Sequence, residues 1–334
     1  MIMHPAVIAL FTGSILVSFM ALYAAYYGVS ILRYWDLKDG RELQLNLERK
    51  TYLVSTIMSY AFCFQLLSLF LFIFTADKLS NLFVGAMCAA GTLNVNSYGY
   101  PTMLLKIVNF LFGGVWLILN YTDNKAVDYP LIKKKYLFLL VIVPFIITEM
   151  VIQGSYFLNL RAHVITSCCG SLFSPESGSA GAGLAALPSI PMKIVFYSSM
   201  ALTITSGFYF YRARNGVGYL FSVMSVITFV VSIAALISFI SLYFYELPTH
   251  HCPFCILQGE YHYIGYPLYV ALLGGVVGGA GVGVLMPARH IESLKEIVPG
   301  IQKRLTFMTL VFYLIFTVIA TCAMIFTDFK LEGY

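Results

Sequence analysis

Long apolar runs separated by short polar segments dominate the chain. A helix that crosses the hydrocarbon core of a bilayer needs about 20 mostly apolar residues. Eight stretches reach that length, at roughly 6–32, 51–75, 101–121, 136–160, 191–210, 217–243, 266–287 and 305–327. The pattern predicts an all-α fold: a polytopic membrane helical bundle of about eight transmembrane helices, in one membrane domain over residues 1–334. The first stretch has no basic n-region and no A-x-A-like cleavage site, so it reads as a retained helix and not as a signal peptide.

Composition strengthens this picture. Of the 334 residues, 60% are hydrophobic and 10% are charged, with a mean hydropathy of +0.84. Soluble domains carry about 25% charged residues, so lipid must solvate much of this chain. The net charge of +5 is modest and forms no basic stripe, which gives no sign of a nucleic-acid partner. The basic residues alternate between segments. Residues 33–50, 125–135, 212–214 and 289–304 hold fifteen of the twenty Lys and Arg, and Lys78, Lys106, Arg161, Lys193 and Lys330 fall on the other side. Lys and Arg gather in cytoplasmic loops. The expectation is therefore an inner (cytoplasmic) membrane protein with both termini outside and four basic loops inside.

That orientation sorts the seven cysteines. Cys63 and Cys322 lie within spans, where a thiol behaves as a small apolar group. Cys88, Cys168, Cys169, Cys252 and Cys255 lie in three extracytoplasmic segments, 85–100, 161–190 and 245–265, a compartment where disulfides persist. The first, GAMCAAGTLNVNSYGYP, is nearly uncharged and reads either as a re-entrant or interfacial loop or as a plain loop with one buried cysteine. The second carries Cys168–Cys169 ahead of a Gly/Ser-rich stretch that reads as a flexible flap. Adjacent cysteines bridge each other poorly, because disulfides want Cα atoms about 5.5 Å apart. Each sulfur is therefore available to another cysteine, a metal or an incoming thiol, or forms a structural bridge.

The third segment reads YELPTHHCPFCILQGEYHYIGYPLY. Its C-x-x-C, Cys252 and Cys255, stands at the outer mouth of a span. A helix N-terminus there would stabilise a thiolate and speed thiol–disulfide exchange. Pro253 suits a first helical turn, and His250, His251 and His262 are candidates for proton transfer. The run Cys252-Pro-Phe-Cys255-Ile-Leu-Gln258, followed by Tyr266-Pro-Leu268, resembles the signature of the bacterial disulfide-bond formation protein B family, whose functional cousins are the vitamin K epoxide reductases. The likeness covers about 20 residues. It implies that Cys252 and Cys255 pass electrons to a membrane quinone near Gln258. It also implies a second outer pair, a role open to Cys168 and Cys169, that exchanges with a thioredoxin-fold partner. The chain departs from the family in three respects: it has eight spans where the family core has four, Gly259 stands where an Arg follows the Gln, and the second pair is vicinal and precedes the C-x-x-C.

Inside the membrane, the glycines of 265–287, Gly274 and Gly278 among them, form small-xxx-small faces. These serve close helix packing or give a flat quinone ring a place to lie. Glu149 and Lys106 are ionisable groups at membrane depth, and read as an ion pair or as part of a proton path. No span carries the histidine pair of a b-type haem, and C-x-x-C-H, Walker and G-x-S-x-G motifs are absent. The leading expectation is a membrane thiol–disulfide oxidoreductase with catalytic Cys252, Cys255, Cys168 and Cys169, and with Gln258, Gly274 and Gly278 at the quinone. Two other readings stand beside it. One is soft-metal (copper or zinc) handling by the outer Cys and His residues; the other is a non-catalytic subunit of a membrane complex held by a structural disulfide.

Overall fold

The computed structural model describes residues 3–35, 42–161, 164–166, 180–213, 216–329 and 331. Each predicted stretch is a long helix: α1 Pro5–Tyr34, α2 Glu42–Leu79, α3 Gly99–Asp123, α4 Ile132–Leu158, α5 Ser189–Ala213, α6 Gly218–Ala235, α7 Gly265–Leu285 and α8 Ile297–Phe326. α6 runs on through a π-helical turn, Leu236–Ile240, and a last turn, Ser241–Tyr245. Helices suit lipid because each closes its own backbone hydrogen bonds. Ser and Thr do likewise with their side chains: Thr75, Thr205, Thr306 and Thr317 donate back to carbonyls one turn earlier. Among the described residues there is no sheet, only a single parallel bridge between Val84 and Ile165.

Seven of these helices are long and apolar enough to cross a membrane, the mark of a multi-pass membrane protein. α5 is the exception. Its 25 residues, about 37 Å of helix, exceed the hydrocarbon thickness, but interspersed Ser, Thr and Tyr dilute its hydropathy.

The chain folds as two compact units. The first comprises residues 1–75, 96–162 and 287–301, and in it α4 packs on α1 and α3. Its core gathers Val17, Met58, Phe62, Trp116, Tyr136 and Ile142. Lys106 and Glu149 meet there at 2.7 Å, both fully buried. The Glu149 carboxylate also accepts hydrogen bonds from Asn109 at 2.5 Å and from Gln65, and Lys106 donates to Ser68 at 3.2 Å. The sequence reading of a Lys106–Glu149 pair thus has its geometry. A second buried pair, Lys135–Asp123 at 2.8 Å, joins α3 to α4, and Asp123 also accepts from the Leu131 amide.

The second unit comprises residues 76–95, 163–286 and 302–334. In it α6 packs between α5 and α7. The α7 glycines are where neighbouring chains come close. A Cβ on Gly274 would stand 2.8 Å from the Phe312 ring and one on Gly275 3.2 Å from Tyr313, while Gly278 abuts Thr309 and Gly279 abuts Ser225.

Candidate functional site

Unit two brings together cysteines that are far apart in sequence. After α2 the chain turns through Ser80–Leu82, reverses at Gly85 (φ +89°) and enters a short helix, Ala89–Leu93, with Cys88 just before it. After α6 it passes through Glu246 in the left-handed conformation (φ 54°), then the C-x-x-C, then two short 3-10 turns, Cys255–Leu257 and Gly259–Tyr261. His262 and Tyr263 are again left-handed (φ 53° and 56°) before α7 starts. Such conformations are costly for residues other than glycine and collect at functional sites. Here three of them bracket the cysteine loop.

The Sγ atoms of Cys88, Cys252 and Cys255 all lie within 4.8 Å of one another, and all three residues are buried. Cys88 Sγ is 3.5 Å from Cys252 Sγ, a contact and not a bond. His250 Nε2 stands 3.3 Å from Cys255 Sγ. Burial holds the His250 imidazole below its ordinary pKa; Cys88 pulls the other way and His251 adds to the lowering. The neutral ring therefore offers a lone pair near neutral pH. Burial and the neighbouring Cys255 and Glu260 push the Tyr261 phenol up.

The loop is clamped at its backbone. The Tyr245 hydroxyl donates to the Cys252 carbonyl (2.5 Å) and accepts from the Ile256 amide (2.9 Å). Tyr269 donates to the Pro253 carbonyl at 2.6 Å. Gln258 ties the two cysteine segments together, its amide donating to Asp77 Oδ1 and to the Met87 carbonyl, both at 2.9 Å. His251 Nδ1 donates to the Ile237 carbonyl, at 2.8 Å, within the π-turn of α6. A π-turn takes its backbone out of the ordinary α-helical ladder, and such turns are frequent at functional sites.

Several expectations change. The C-x-x-C does not open a helix: Cys255 starts a single 3-10 turn and α7 begins only at Gly265. Gln258 leaves that turn with extended backbone (ψ 160°) and so ends it. The C-x-x-C therefore has no helix terminus of its own to stabilise a thiolate, and the group beside Cys255 Sγ is the His250 imidazole. Gln258 spends its amide protons on Asp77 and Met87, while Gly274 and Gly278 face Phe312, Thr309 and Leu305. Cys63 and Cys322 lie on α2 and α8, and both are exposed.

Cys168 and Cys169 lie outside the described residues. The chain just before them is held against the Cys88 loop: the Thr166 amide donates to the Val84 carbonyl (2.9 Å) and its hydroxyl to the Gly91 carbonyl (3.0 Å). In the sequence only Ser167 stands between Thr166 and Cys168.

Cys88 is the member of this three-sulfur cluster that the sequence does not single out. The available signal was a single cysteine in an uncharged loop of small residues, which shows burial but not its partner. Compared with known proteins, the chain matches no family model, no curated protein and no solved structure.

Proposed function

We propose that the chain is a multi-pass membrane thiol–disulfide oxidoreductase whose buried centre is Cys88, Cys252 and Cys255. The observation that carries this is the approach of three buried sulfurs to within 4.8 Å of one another. A C-x-x-C pair at that range closes to a bond of about 2.05 Å by side-chain rotation. The third thiol lets the disulfide migrate. When the Cys88 thiolate attacks Cys252 of a Cys252–Cys255 disulfide, the Cys88–Cys252 bond forms and Cys255 leaves as a thiolate beside His250. The imidazole takes the Cys88 proton and passes it to Cys255, so the step is redox-neutral.

Burial of all three sulfurs keeps a protein partner from attacking them directly. Cys168 and Cys169 are the proposed intermediaries, supported by the Thr166 anchor on the Cys88 loop. A thioredoxin-fold dithiol would reduce a disulfide that Cys168 or Cys169 shares with the buried centre: that bond breaks, the partner's two thiols become a disulfide, and two electrons and two protons stay on the chain's cysteines.

Sidedness is part of the proposal. With α5 counted as a span the chain crosses eight times, both termini share a side, and the fifteen-to-five division of Lys and Arg puts the cysteine segments outside. Without α5 the crossings number seven and the alternation of basic segments fails after residue 213.

Thiol trapping with peptide mapping tests the proposal on the full chain in lipid nanodiscs. Mild oxidation should link Cys252 to Cys255 or to Cys88. Thioredoxin should reverse that link in the parent protein, and fail to do so when Cys168 and Cys169 are both serine, while a small dithiol still succeeds. An alkylation pattern that is the same with and without oxidant or reductant would overturn it.

A further inference from the structure

We infer that Cys88, Cys252, Cys255 and His250 form, in the reduced protein, a binding site for a thiophilic d10 cation, Zn2+ or Cu+. The distances fit. A tetrahedral ion with sulfur at about 2.3 Å and nitrogen at about 2.0–2.1 Å sets sulfurs about 3.8 Å apart and nitrogen about 3.6 Å from sulfur. Cys88 and Cys252 are 3.5 Å apart, and His250 Nε2 is 3.3 Å from Cys255 Sγ. The three sulfurs form a compact triangle with no edge above 4.8 Å. His250 stands at its Cys255 edge, outside the 4.8 Å set, and closes a fourth position by a small movement. Three sulfurs alone suit Cu+, and three sulfurs with the imidazole suit Zn2+.

The surroundings favour a soft ion over a hard one. Asp77, whose carboxylate feels the Cys88 thiol, is engaged by Gln258 and by the Ala89 amide, and the grouped ligand atoms are all sulfur, which suits a soft ion and not Mg2+ or Ca2+. His251 is turned to the Ile237 carbonyl. Tyr245, Tyr269 and Gln258 fix the ligand-bearing backbone before any ion arrives, and such outer contacts support metal affinity. The thiols give up their protons to the ion on binding. The site does not depend on the exchange relay, since it needs only the reduced thiols. A disulfide within the set removes two ligands, so oxidation and metal loading exclude each other.

The test uses the full reduced chain in nanodiscs under anaerobic conditions, with Zn2+ or Cu+ added and excess removed by buffer exchange. One retained equivalent of either ion is expected, with displacement of protons. In the loaded parent protein Cys88, Cys252 and Cys255 should resist alkylation while Cys63 and Cys322 react, a measurement that needs no variant to fold. Cys88→Ser should lose the equivalent, and the Cys63→Ser/Cys322→Ser protein should keep it. His250→Ala should lose Zn2+ more readily than Cu+, and in the Co2+-substituted protein it should shift the d–d bands. Failure to retain either ion, or retention with Cys88 still alkylated, overturns the inference. Peptide mapping of the oxidised protein reads the relay separately. Metal retention without any disulfide removes the relay and leaves the site; disulfides without metal retention do the reverse.

Discussion

Replacing Gly85 with alanine tests whether the Cys88 loop holds the segment that leads to Cys168 and Cys169. Gly85 has φ +89°, and a Cβ there would stand 2.5 Å from the Thr166 carbonyl oxygen. Left-handed backbone costs a residue with a Cβ about 1–2 kcal/mol. Relieving the clash means moving residue 166, which strains its two hydrogen bonds to Val84 and Gly91, each about 1 kcal/mol net. The sum, about 3 kcal/mol, raises the local opening equilibrium roughly a hundredfold. Hydrogen exchange read by mass spectrometry in nanodiscs should show that acceleration at Thr166 and around Val84, with α3 and α4 unchanged. Thioredoxin-driven reduction of the buried centre should slow in parallel. Gly300→Ala is the control, because nothing lies within 4 Å of its Cβ position, and it should leave both readouts alone. Parent-like protection at Thr166 in Gly85→Ala, or a loss of protection spread over the whole chain, would refute the anchor.

Other expected outcomes follow from the packing. Lys106→Met or Glu149→Met alone should cost about 3–5 kcal/mol, and the two together should come close to neutral, because removing one partner strands a buried charge; additive losses in thermal unfolding of the solubilised protein would show that the pair is not coupled. Tyr245→Phe leaves the Cys252 carbonyl and the Ile256 amide buried without this partner, at about 1–3 kcal/mol each. Alkylation of Cys252 and Cys255 in the reduced protein should then speed up while that of Cys63 stays constant. Gly279→Val drives a side chain into Ser225, and overpacking of this kind costs about 1–3 kcal/mol; an unchanged melting temperature would mean that α7 and α6 do not meet there.

The long helices are legible in the sequence because lipid leaves the backbone few alternatives: a run long and apolar enough to cross must close its own hydrogen bonds. The Lys106–Glu149 pair is legible for a related reason, since an ion at membrane depth needs a partner and few candidates exist. The C-x-x-C is visible as spacing, but its backbone is not. Pro253 fits a first helical turn as well as it fits the bend it occupies, and the decision rests on Gln258, His262 and Tyr263, which break the chain before α7. The glycines of α7 show that something comes close, yet only the fold says that it is Phe312, Thr309 and Ser225. Cys88 is the hardest case. It meets Cys252 across 164 residues, and no period or spacing links positions so far apart. What joins them is a polar clasp, Gln258 to Asp77 and Met87, built from residues that look unrelated along the chain. That clasp turns a two-cysteine motif into a three-sulfur centre. Two sulfurs store one disulfide, whereas three sulfurs and an imidazole can also move it, or hold an ion in its place.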